Sequence, residues 1–134
     1  MFYVKLLVLS MIVFFTLDMA WIGYFAKGLY FKHYGTWLRL QQDQLLPVWW
    51  AIVIVYVLFA VATVVFVLPL SRGLLVHAFL YGAALGCIIY GVYDFTCLAI
   101  FKDWPVMMAF VDWAWGTFLC ACSGTITVYL SRVI

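Results

Sequence analysis

Four apolar stretches, each long enough to cross a bilayer as a helix, take up most of this chain. A hydrocarbon core about 30 Å thick needs roughly 20 apolar residues in helical form. The stretches run from about Val4 to Ala26, Val48 to Leu68, Leu74 to Phe101 and Pro105 to Leu130. Pro47 and Pro105 stand where helices begin, a place that suits a residue without a backbone N–H. Pro69 reads as following the second helix and, with Ser71, Arg72 and Gly73, forms a short turn. Met1 to Lys5 and the apolar run after them look like a signal peptide at first sight. However, Asp18 interrupts before a small-residue cleavage site and the run continues past it, so the first helix is expected to stay uncleaved.

Composition agrees. Of 134 residues only twelve are charged, seven basic and five acidic, and mean hydropathy is +1.20. A soluble domain of this length could not hide so much apolar surface. The net charge of +2 is too small to imply a polyanionic partner, and no nucleic-acid binding is expected. The expected fold is an all-α integral membrane four-helix bundle, one transmembrane domain over residues 1–134 with an interfacial first loop. That loop, residues 27–47, mixes Lys27, Lys32, His33 and Arg39 with Tyr30, Phe31, Tyr34, Trp37 and Leu38. Such a mixture suits a segment in the headgroup layer, touching membrane lipid.

Four spans put both ends of the chain on one face. Lys5, Arg72 and Arg132 fall on that face, and Lys27, Lys32, Arg39 and Lys102 on the loop face, so basic residues are nearly balanced. Termini in the cytoplasm is the expected orientation. The four cysteines, at 87, 97, 120 and 122, form no C-x-x-C pair and read as small packing residues. There are no histidine boxes and no D-D-x-x-D motif. No metal site and no cofactor is expected.

Three charges lie where charge is costly. Asp18, Asp94 and Asp112 occur inside spans one, three and four, each seven or eight residues from the loop-face end. At about 1.5 Å per residue they share a depth of roughly 10–12 Å. A charge in hydrocarbon costs about 2.5–3.5 kcal/mol on insertion scales, and such residues usually face the bundle interior and mark a site. The Trp residues are lopsided too. Trp49, Trp50 and Trp104 suit an interfacial belt. Trp21, Trp113 and Trp115 lie deeper, beside the acids, in two copies of D-x-A-W. Asp18, Asp94, Asp112, Trp21, Tyr93, Trp113, Trp115 and Thr96 are therefore the candidate ligand-binding residues. Aromatic faces beside carboxyls suit an organic cation and equally a lipid headgroup. The stripe Gly116, Cys120, Ser123 and Thr127 on span four is a candidate route onward, whereas span two, without charge, reads as a packing or lipid-facing helix.

The function expected is binding or transport of a proton, cation or amphipathic ligand. A lipid-directed enzyme or enzyme accessory, with a carboxyl as general acid or base, is the alternative. So is a structural or assembly subunit whose Asp residues only hydrogen-bond Trp and Tyr across helices. A homodimer is plausible from the number of helices, with Gly82 and Gly86 as a candidate contact.

Three stretches carry a family resemblance. They are Leu17-Asp18-Met19-Ala20-Trp21-Ile22-Gly23; Tyr90-Gly91-Val92-Tyr93-Asp94-Phe95-Thr96 with Leu98-Ala99 and Lys102-Asp103-Trp104-Pro105; and Asp112 with Trp115-Gly116. Together they resemble a bacterial family of small membrane proteins known as domain of unknown function 2177. The resemblance covers nearly the whole chain and implies a four-span protein of the bacterial inner membrane, with no reaction attached. Where that family tends to carry Asn after Thr96, this chain has Cys97.

Overall fold

The computed structural model describes residues 1–134, and its helices have the lengths the apolar stretches demand. Helix α1 covers Phe2–Phe25, α3 Trp49–Ser71, α4 Leu75–Ile100 and α5 Val106–Leu130. All four are long and apolar enough to cross a membrane, so the chain is an all-α, multi-pass membrane protein. Large apolar side chains such as Ile12, Val53, Leu58, Ile88 and Phe118 point outward, as they must where the solvent is lipid.

The segment 27–47 is more ordered than a loop. Lys27–Tyr34 forms a short helix, α2, which buries Tyr30 and Tyr34. After it β1 (Leu40–Gln41) and β2 (Gln44–Leu45) pair antiparallel. Gln42 and Asp43 both have positive φ, 50° and 60°, as a two-residue hairpin turn requires.

Two spans contain a π-helical turn. In α1 it covers Trp21–Phe25, and in α3 it covers Thr63–Val67. The second corrects the expected end of span two at Leu68. The helix runs on to Ser71 with Pro69 inside it. Proline has no N–H to give and its ring crowds the preceding turn. The widened turn just before it accommodates both, so the helix continues until Arg72 takes a left-handed conformation.

The helices are not equally close. α4 and α5 form the tightest pair, α5 also packs on α1, and α1 packs on α3. Gly82, Gly86 and Gly116 set the α4–α5 distance. A Cβ on Gly82 or Gly86 would strike the carbonyl of Cys120 or Gly116, and a Cβ on Gly116 would fall inside the Tyr90 ring. This corrects the expected role of Gly82 and Gly86. They are buried against α5 of the same chain and do not face a second copy.

α3 and α4, although consecutive, meet mainly near their connecting turn at the Thr63–Ser71 end. Toward the loop face they diverge. There the stacked rings of Phe59 and Tyr90, 5.8 Å between centroids, bridge the interval. The core on the other side of that bridge is Phe14 stacked on Phe59 at 5.0 Å, with Leu119 and Cys120.

Candidate functional site

Asp18, on α1, is almost wholly buried, and both its oxygens are taken. The Tyr56 hydroxyl donates to Oδ2 at 2.7 Å and the Trp115 indole N–H donates to Oδ1 at 3.0 Å. One acid thus ties α1 to α3 and α5. Span two is therefore more than a packing or lipid-facing helix: it supplies Tyr56. Nothing in its charge marked that role, although Tyr56, Ala60 and Thr63 form its one modest stripe.

Asp112, on α5, receives a hydrogen bond from the Tyr30 hydroxyl at 2.6 Å. That hydroxyl in turn accepts from the Trp21 indole N–H at 3.1 Å. Tyr30 comes from α2, so the interfacial helix is pinned over the bundle by an intramembrane acid. Burial, then the Asp112 charge, push the Tyr30 phenol well above its ordinary range, and the phenol stays a donor. The Trp21 and Trp115 rings stack at 4.5 Å and 8°. They join the Asp18 group to the Asp112 group, an arrangement worth about 0.5–1.5 kcal/mol beyond area burial.

Asp94, on α4, differs from both. It is 0% exposed, and neither carboxyl oxygen has a donor. Its acidic neighbour is Asp112, and no basic side chain contributes to the surroundings of either. Two carboxylates offer each other only lone pairs, so a hydrogen bond between them requires a shared proton. An unsatisfied buried acid is expensive and asks for explanation.

Two hollows converge here. One, about 630 Å³, is the interval between α3 and α4, lined by Val55, Leu58, Phe59, Ala62, Ile89, Tyr90, Tyr93 and Asp112. Its walls are those of a lipid-facing cleft with a single acid inside. The other, about 420 Å³, lies beneath α2 and is walled by Tyr34, Trp37, Phe101 and Trp104, again with Tyr93 and Asp112 at its edge. The Tyr34 hydroxyl and the Trp104 indole N–H beside it are buried without partners. Burial, with the Asp112 and Asp94 charges, pushes the Tyr34 phenol upward as well. Asp112 and Tyr93 are common to an apolar gap and an aromatic hollow at the interface.

The other sequence candidates lie as follows. Trp115 and Trp21 belong to the network. Tyr93, half exposed, stands between the hollows. Trp113 lies against α4, its N–H donating to the Cys87 carbonyl at 2.9 Å over Gly91, and it is not among the groups bonded to the acids. Thr96 is exposed on the outer side of α4. Gly116, Cys120, Ser123 and Thr127 are all buried in helix contacts. Thr127 donates to Ser10 on α1 at 3.1 Å, and Tyr90 fills the space above Gly116. That stripe is a closed seam here. Tyr30 and Tyr56, which donate to Asp112 and Asp18, were not among the sequence candidates, although an intramembrane Asp does call for such donors. No three His, Cys or Asp side chains converge closely enough to hold a metal ion.

Fold and site together define a four-span membrane protein whose buried carboxyl network lies at the loop end of the bundle. The chain belongs to the family described as predicted membrane protein (DUF2177), which it matches over residues 3–129. No curated protein and no solved structure matched it.

Proposed function

We propose that this protein binds a small cationic or amphipathic ligand at Asp112 and carries it between the membrane and the loop-face interface. The observation that supports this reading is the position of Asp112, which is shared by the apolar gap and the interfacial hollow. A group that only braced the bundle would be enclosed by donors, as Asp18 is. Asp112 has Tyr30 on one oxygen, an undonated acid beside it, and room in front. The setting is the bacterial inner membrane, with the termini cytoplasmic, and a homodimer would meet on outward faces other than the glycine seam. A second reading, an enzyme acting on lipid with Asp112 as general acid or base, draws on the aromatic hollow of Trp37, Phe101 and Trp104 at headgroup depth.

The test is to purify the protein and identify co-purifying small molecules by mass spectrometry, then repeat with Asp112→Asn and with exposed Asp103→Asn as control. The bound species should disappear with the first variant and persist with the second. A folded Asp112→Asn protein that keeps every ligand would defeat the proposal. In liposomes, unchanged ligand crossing the membrane supports carriage, and chemically altered lipid supports the enzyme.

A further inference from the structure

The pairing of Asp94 with Asp112 constrains the ligand further. Asp94 is sealed from water, and neither of its oxygens has a donor. The titratable groups facing the pair are Tyr30 and Tyr34 from α2, Tyr90, Tyr93 and Cys97 from α4, and Asp18 from α1. None of them carries positive charge. With no cation in place, only a proton can offset the repulsion within the pair, and one shared proton leaves it with a single negative charge. A ligand whose head is itself a cation and a hydrogen-bond donor would supply at Asp112 what a shared proton otherwise must.

The gap beside Asp112 constrains the rest of the ligand. Its lining is apolar except for the one acid, and it opens sideways between α3 and α4. Its volume of about 630 Å³ falls within the range of small-molecule sites. The stretch from Val55 to Ala62 along its wall spans about 10 Å of helix, suiting a short alkyl tail. The Phe59–Tyr90 stack spans the cleft and leaves it narrow.

We infer that the α3–α4 gap receives a single-chain amphiphilic amine, whose ammonium takes the place of the proton shared by Asp94 and Asp112 while its tail lies along Val55, Leu58, Phe59 and Ala62. This rests on the site reading above and narrows it. The balance is simple: one ammonium enters still protonated, one proton leaves to water, and the site's charge is unchanged. Asp112 is the ligand-facing acid, because Asp94 is inaccessible.

The experiment uses the full chain in phosphatidylcholine nanodiscs at neutral pH, where an alkylamine is charged. Octylamine binding is titrated against empty nanodiscs, with a pH indicator in weak buffer to count protons. Wild type should bind octylamine and release about one proton per ligand. Octanol, octanoate and methylamine should compete poorly. Asp94→Asn, whose amide donates permanently to Asp112, should bind without releasing a proton. Asp112→Asn should weaken binding by at least about tenfold, as expected when a charge-assisted contact is lost. The proton count is made on wild type, so the inference stands or falls even if a variant does not fold. Octylamine bound without proton release overturns it, as does octanol or octanoate binding equally well. Loss of octylamine binding when phosphatidylethanolamine is added overturns the single-chain occupant in favour of a lipid headgroup. Methylamine binding as tightly as octylamine, still dependent on Asp112, overturns the amphiphile and leaves the site reading intact. Binding indifferent to Asp112 overturns both.

Discussion

Gly116 fixes how near α4 can come to α5, because the Tyr90 ring occupies the space a side chain would take. Gly116→Ala should destabilise the protein by about 1–3 kcal/mol through overpacking. Gly23→Ala, where a Cβ meets nothing, should leave stability unchanged. Thermal unfolding in detergent compares the two, and equal midpoints would mean that the seam yields. Tyr90 is then held between Gly116 and Phe59, and so forms the wall of the apolar gap. At this scale the acids were legible in the sequence, because an Asp inside an apolar stretch is conspicuous. Trp115, the indole partner of Asp18, was legible too, but the tyrosine partners were not. Tyrosine is common in membrane helices, and only tertiary placement distinguishes Tyr56, bonded to Asp18, from Tyr24, which is 80% exposed.

The spans were legible because length and hydropathy are local properties of the chain. What hid from sequence at the scale of the element was interruption and docking. The π turn at Thr63–Val67 lets Pro69 sit inside a helix that the sequence reading closed at Leu68. The helix α2 was hidden by its polarity. It is secured less by its own pattern than by one phenol reaching Asp112 and by Tyr34 packing on Trp104. Its entry is the π turn Trp21–Phe25, closed by the Ala26 N–H to Trp21 carbonyl bond at 2.7 Å. If Tyr30 is the pin, Tyr30→Phe should raise amide exchange across Lys27–Tyr34 while exchange in α4 and α5 stays as it was. Unchanged protection of α2 would show that ring packing alone holds it.

Taken whole, the molecule is a bundle closed on one side and parted on the other. The α4–α5 and α1–α5 contacts are sealed by glycine and small residues, and the stripe on α5 is spent in making that seal. The parting of α3 from α4 leaves Asp112 as the one acid lining the gap between them. No sequence period announces such a gap, because it arises from how two neighbouring helices diverge above their turn. The shared depth of the three acids pointed to the loop end of the bundle, where the network of Asp18 and Asp112 lies. It could not separate Asp18, fully occupied, from the pair that is not.

Labelling with an apolar carbodiimide tests that separation most directly. Such a reagent reaches carboxyls from the lipid and reacts with the protonated form. The protein in liposomes would be treated, digested and mapped by mass spectrometry. Modification should fall on Asp112, spare Asp18, and diminish when octylamine is present. Label on Asp18 in place of Asp112, or an Asp112 that stays unmodified, would contradict the account.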